Sequence, residues 1–134
     1  MPATITVERA NIVIPGTGGA VQPAITELRF AWTSTAGGVV DETTIQYYSG
    51  TIRRIVTIPG TGADVPTNLY DVQLLDDDGA DVLLGAGANR SSTLLEQVCG
   101  LVGGQPVVIA NTHLNLIIAA AGAANTGTVI VYIE

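Results

Sequence analysis

Hydrophobic and polar positions alternate along most of this chain with the two-residue period of a strand that has one buried and one wet face. The clearest case is Thr26 to Trp32, where Leu28, Phe30 and Trp32 share one face and Glu27, Arg29 and Ala31 the other. Trp32 and Phe30 are the only residues of their kinds. Large aromatics dominate the energetics of a core, so this reads as the core strand of the first half, with a ligand-stacking Trp32 as the lesser reading. Val39 to Tyr48 is a further strand, bounded by turns at Ala36-Gly37-Gly38 and Ser49-Gly50. Next, Ile52, Arg54, Val56 and Ile58 fall opposite Arg53, Ile55 and Thr57. Arginine among isoleucines fits an edge strand charged against aggregation, or an interface where guanidinium meets a neighbour's carboxylate.

Tyr70, Val72 and Leu74 then alternate with Asp71 and Gln73, and Asp78-Gly79 follows as a tight-turn signal. Glycine tolerates the positive φ of such a turn and aspartate bonds its own backbone, so a hairpin is expected, returning through Asp81 to Gly85. After the loop Gly85 to Arg90, Thr93 and Glu96 have capping-box spacing and Leu94 and Val98 an i, i+4 pair before Gly100, which predicts one or two helical turns. The tail returns to strands at Gln105–Ile109, His113–Ala120 and Gly127–Glu134. Val129 to Ile133 is apolar on both faces, as a strand in the middle of a sandwich would be. At the start, Thr4-Ile5-Thr6-Val7 alternates and reads as a first strand or as an arm that pairs with another subunit's sheet, the arm being favoured. Pro15-Gly16-Thr17-Gly18 returns as Pro59-Gly60-Thr61-Gly62, either two equivalent hairpins or one turn chemistry used twice. Short strands with Gly/Pro turns and little helix give the fold class: all-β, a jelly-roll-like antiparallel β-sandwich or barrel with at most one short helix.

Composition changes this picture in one respect. A chain of 134 residues is expected to form a single domain, 1–134, with residues 1–10 as the arm if it is one. Yet 47% of residues are hydrophobic, only 13% are charged and the mean hydropathy is +0.42. That is more apolar strand surface than one small core consumes, so the surplus should meet a neighbour. The net charge is −7, with no lysine among its five cationic residues, which argues against nucleic-acid binding and against a place inside a DNA-filled shell. Cys99 stands alone, which suits assembly in a reducing cytosol. No secretion signal is visible at the N-terminus. Leu114 to Ala124 is broken by Asn115 and Gly122 and falls short of the roughly 20 residues of a membrane helix.

Candidate chemistry is sparse. With one histidine, one cysteine and no lysine, a lysine-dependent phosphate loop is excluded, and neither a Gly-x-Ser-x-Gly elbow nor a complete dinucleotide fingerprint is present. His113 falls with Asn115 on the wetter face of its strand and reads as a surface histidine rather than a base. Cys99 reads as a small buried hydrophobe. Asp76, Asp77, Asp78 and Asp81 cluster around Gly79 and could hold a calcium ion through oxygen ligands, but the spacing and final glutamate of a calcium loop are missing. An acidic tip in solvent, or one docked on a partner's arginines, is favoured. The expectation is therefore no catalytic residue, no cofactor and no metal.

The string Leu69 to Leu74, the Asp76-Asp77-Asp78-Gly79 turn, Asp81-Val82-Leu83, Gly85, Gly87, Asn89-Arg90-Ser91-Ser92, Leu114-Asn115-Leu116 and Gly127 to Tyr132 resembles the small head-associated structural proteins of tailed bacteriophages. Jelly-roll cement, or decoration, proteins are among them. The likeness covers roughly the last two thirds of the chain. It implies a non-enzymatic protein made in the bacterial host cytoplasm and placed on the capsid exterior of the virion. There it would stabilise contacts between major capsid protein subunits, as a homodimer or homotrimer, without contact to nucleic acid or membrane. The residues expected to touch capsid or sister subunits are Thr4, Ile5 and Val7 in the N-terminal segment, Arg53 and Arg54, and Asn89 and Arg90 in the 86–92 loop. The rival expectations are a lectin-like or receptor-binding jelly-roll head of a fibre, or another tail or neck component. Low aromatic content counts against a sugar-stacking site.

Overall fold

The computed structural model describes residues 2–12, 25–99 and 106–134, leaving aside the side chains of 10–12. The first Pro-Gly-Thr-Gly copy, the start of the strand at Gln105 and the Gly100 stop lie outside them.

Nine strands are described: β1 (Thr4–Ile12), β2 (Ile25–Thr33), β3 (Val40–Thr43), β4 (Tyr48–Pro59), β5 (Asp71–Leu75), β6 (Glu96–Cys99), β7 (Val107–Thr112), β8 (Asn115–Ala119) and β9 (Thr126–Ile133). They form two antiparallel sheets packed as a sandwich. The larger has the order β1-β2-β9-β4, with β6 and β7 both on the far side of β4, and the smaller has the order β3-β8-β5. β6 pairs with Arg54 to Thr57 and β7 with Tyr48 to Ile52, so the two share one edge of β4 in succession.

The inner faces follow the alternation. Leu28, Phe30 and Trp32 of β2 lie beside Val131, Val129 and Gly127 of β9, and the three β2 residues are buried together with Val72, Leu74, Leu116 and Ile118 of the smaller sheet. Each such side chain contributes about 1.5–3 kcal/mol by leaving water. Gly127 is required here: a Cβ at that position would sit 2.5 Å from Cζ2 of Trp32, so the indole lies directly on the β9 backbone. Strand β9, expected in the middle of a sandwich, is central to the larger sheet, between β2 and β4.

Several expectations are corrected. The arginine-bearing strand is not an edge. β4 is interior and begins at Tyr48, because Ser49-Gly50 is no turn but part of a bulged strand, with Gly50 at φ 137°. A second register shift between Ile52 and Arg54 changes the parity, so Ile52 and Ile55 both enter the core while Val56 is buried on the outer face beside Ile130. The segment expected to be helical is β6. The expected Thr93–Glu96 box is absent and a turn closes on Ser91 instead: its Oγ accepts the N–H groups of Thr93 and Leu94, and Glu96 accepts its N–H. Val98 then pairs with Ile55 in the ladder. The hairpin after β5 has its turn, with Gly79 at φ 83°, but its return arm makes a single bridge, Leu75 to Asp81, before coiling through successive turns. The favoured arm at the N-terminus is β1, paired with β2 of its own chain from Thr4 to Ile12.

Candidate functional site: an open cleft between two strand edges

A large sheet facing a three-stranded one leaves part of the larger inner face uncovered. Along β1, Ile5 and Val7 stand opposite Trp32 and Phe30 and point towards the core, but they are only partly buried because β1 overhangs the smaller sheet. Facing β1 across the opening is β3, the edge of the smaller sheet. Between them lies a cleft of about 830 Å³. Its floor is Ala3, Ile5, Val7 and Tyr48, its rim Glu42, Thr43 and Gln46, and Ile45, 93% exposed, stands beside it in the β3–β4 connection.

Two side chains organise the cleft. Thr44 is buried; its Oγ1 accepts the N–H of Leu114 at 3.0 Å and donates to the carbonyl of Gln46 at 3.0 Å, which fixes the rim to the residue that leads into β8. Arg9 lies with Cζ 5.9 Å from the Tyr48 ring centroid. Burial pushes the Tyr48 phenol above its ordinary value, and the guanidinium pulls it partly back. The cleft thus has an apolar base, a polar rim and two strand edges. Unpaired N–H and C=O groups along such edges are a ready template for another strand.

Three of the residues expected as contacts come together here: Ile5 and Val7 on the floor and Thr4 beside them. The others do not. Arg54 lies on the outer face of β4, over the Tyr132 ring at 4.9 Å and with Nε 2.9 Å from Oε1 of Gln97. Arg53 is exposed at the bulge and reaches Glu134 at 3.3 Å. Arg90 donates twice to the carbonyl of Ala88 and lies 3.9 Å from Glu96. Asn89, at φ 55°, gives its N–H to Asp71. Arg54 and Arg90 therefore hold the short edge strand β6, through Gln97 and Glu96. Glu42 and Tyr48 escaped sequence reasoning. Alternation from Val40 could have placed Glu42 inward, but only the pairing of both sheets puts it at an opening.

The other polar clusters are wired internally. Asp76 accepts the N–H groups of Asp78 and Ala80, and Asp81 those of Leu74, Leu83 and Gly85. These carboxylates stabilise backbone rather than gather round a cation, and among the described residues no group of three or more acidic, histidine or cysteine side chains could hold a metal. His113 lies 3.1 Å from Asp77 and stacks on Tyr47 at 3.9 Å. An aspartate that orients a histidine is part of a hydrolytic triad, but no hydroxyl or thiol is bonded to this ring among the described residues. Cys99, expected to be buried, is exposed on the short edge strand β6. No helix among the described residues is long and apolar enough to cross a membrane. Compared with models of protein families, with curated proteins and with solved structures, the chain finds no match in any of the three.

Proposed function

We propose that this chain is a non-enzymatic structural protein of a phage virion, a cement protein that binds the outside of the capsid and stabilises contacts between major capsid protein subunits. The observation that carries its adhesive role is the open side of the sandwich, where two strand edges, unpaired among the described residues, flank an apolar floor. Proteins that stay alone blunt such edges or cover them, whereas a docking module keeps them available for strand addition. A stable contact needs about 800 Å² on each partner. The cleft together with its rim supplies the centre of such a patch, and a homo-oligomer, dimer or trimer, would multiply the grip through effective concentration. The capsid as the assembly follows from the resemblance carried by Leu69 to Tyr132, and the acidic surface favours the exterior of a DNA-filled shell.

The test is to mix the purified protein with empty shells of the phage assembled without it. Co-sedimentation and a higher melting temperature of the shells are expected. Failure to co-sediment removes the proposal.

A further inference from the structure

Glu42 is an inward-facing carboxylate on the edge strand β3. It lies two residues from buried Val40 and two from buried Thr44, is itself half-buried, and pairs in register with Leu116. Among the described residues no ion pair or hydrogen bond reaches its side chain. A carboxylate beside an apolar floor is costly to desolvate further unless a cation joins it. The other charged residue of the lining, Arg9, lies over Tyr48. Across the cleft, β1 pairs with β2 without a register shift, contains no proline, and has its charges, Glu8 and Arg9, only after the Thr4-Ile5-Thr6-Val7 stretch, whose outer edge is unpaired among the described residues. From Ala3 to Arg9 it offers about 20 Å of strand at ~3.4 Å per residue, room for roughly six residues of a partner.

We infer that the cleft takes one extended, basic strand of a protein partner, paired through its backbone along β1, with apolar side chains on the Ile5, Val7 and Tyr48 floor and a lysine or arginine at Glu42. A second copy of this chain fits less well, because it brings another net charge of −7 to the same place. Alternation does the rest: one face of the incoming strand reads the floor and the backbone reads the edge. This inference rests on the cleft being the docking site.

The experiment titrates the isotopically labelled full chain with an acetylated eight-residue peptide in which valine alternates with lysine and threonine, and with the same peptide carrying glutamate for lysine. Amide shifts at Thr4 to Arg9 and at Glu42, with the basic peptide bound at least about tenfold tighter, are expected. Glu42→Gln should weaken it roughly fivefold, the scale of one partly exposed ion pair. Equal affinity for the two peptides, shifts confined to other strands, or shifts of the same amides driven by protein concentration alone each overturn the inference, the last in favour of a second copy. Glu42→Lys tested on shells separates the two readings. If wild type co-sediments and Glu42→Lys does so equally, the strand inference falls and the cement reading stands. If the basic peptide binds as expected but wild type ignores shells, the cement reading falls alone.

Discussion

Asp81 shows how acidic residues are used in this chain. Its two carboxylate oxygens take three backbone N–H groups, from Leu74 at 3.2 Å and from Leu83 and Gly85 at 3.0 Å, which fold the return arm onto β5. Asp81→Ala should cost about 1–3 kcal/mol, since donors in a partly buried turn lose a charged acceptor. Asp78→Ala, whose exposed side chain has no such duty, should stay within about 0.5 kcal/mol; urea melts of the two variants compare them directly. Tyr70 is the opposite case. It is fully buried against Trp32, with ring centroids 5.7 Å apart, and the Thr57 hydroxyl is close enough to favour the phenolate slightly without meeting hydrogen-bond geometry. Burial, with the Glu96 charge adding to it, pushes the phenol up from 10.0 to about 12. The folded state therefore holds this proton more tightly than the unfolded chain does. Its contribution is complete below pH 10 and is lost as pH rises towards 12, at about 1.4 kcal/mol per unit. Tyr70→Phe should leave stability at pH 7 unchanged or slightly higher, because an unpaired buried hydroxyl is removed, and should flatten the alkaline loss. A melt series from pH 8 to 12 in both proteins measures it, and an equally steep loss in the phenylalanine variant refutes the assignment.

Among the elements, β2 and β9 carry the fold, and both are legible as alternation or as a doubly apolar run. Their contact has no slack. Gly127→Ala should cost about 1–3 kcal/mol by forcing the Trp32 indole off the β9 backbone, and near-ultraviolet circular dichroism of the single tryptophan would report the shift alongside the melt. The misread elements share a physical cause. In β4 the first bulge, at Ser49-Gly50, reads as a turn, and the alternation from Ile52 runs straight through the second, yet a bulge inserts a residue and moves later side chains to the opposite face; the Ile52–Arg54 shift is not visible from composition. In β6 the Thr93–Glu96 capping box does not form; Ser91 takes the capping place in a turn, and a ladder place beside β4 outweighs the propensity of a few residues for helix. The aspartate cluster was read as solvent or cation chemistry for a similar reason. Whether a carboxylate finds an ion or a neighbouring N–H depends on loop dihedrals, such as Leu84 at φ 52° and Gly85 at φ 79°, which sequence does not state.

For the whole molecule, the apolar composition is legible and the places where apolar side chains stay exposed are not: Ile45 lines the cleft, whereas Leu69, Leu94, Leu95 and Val108 are exposed elsewhere. Six strands against three leave β1 overhanging, and the contact expected at Thr4, Ile5 and Val7 lies at that overhang, whereas Arg54, another expected contact, is engaged by Tyr132 and Gln97 on the outer face of the larger sheet. This asymmetry makes a dynamic prediction. β9 is bonded on both sides, by β2 and β4, and its amides should exchange with solvent only when the whole sandwich opens. Among the described residues β1 is bonded on one side, by β2, so the amides on its other edge should exchange fastest among the long strands. Hydrogen exchange followed by mass spectrometry over peptides of 2–12 and 126–134 measures the contrast. In the presence of shells or of the basic peptide, the early segment should slow while the late one stays as it was, because strand addition supplies the missing acceptors without altering the core. Equal protection of both segments in the free protein would mean that the β1 edge is already covered, and the open side would then no longer support a docking role.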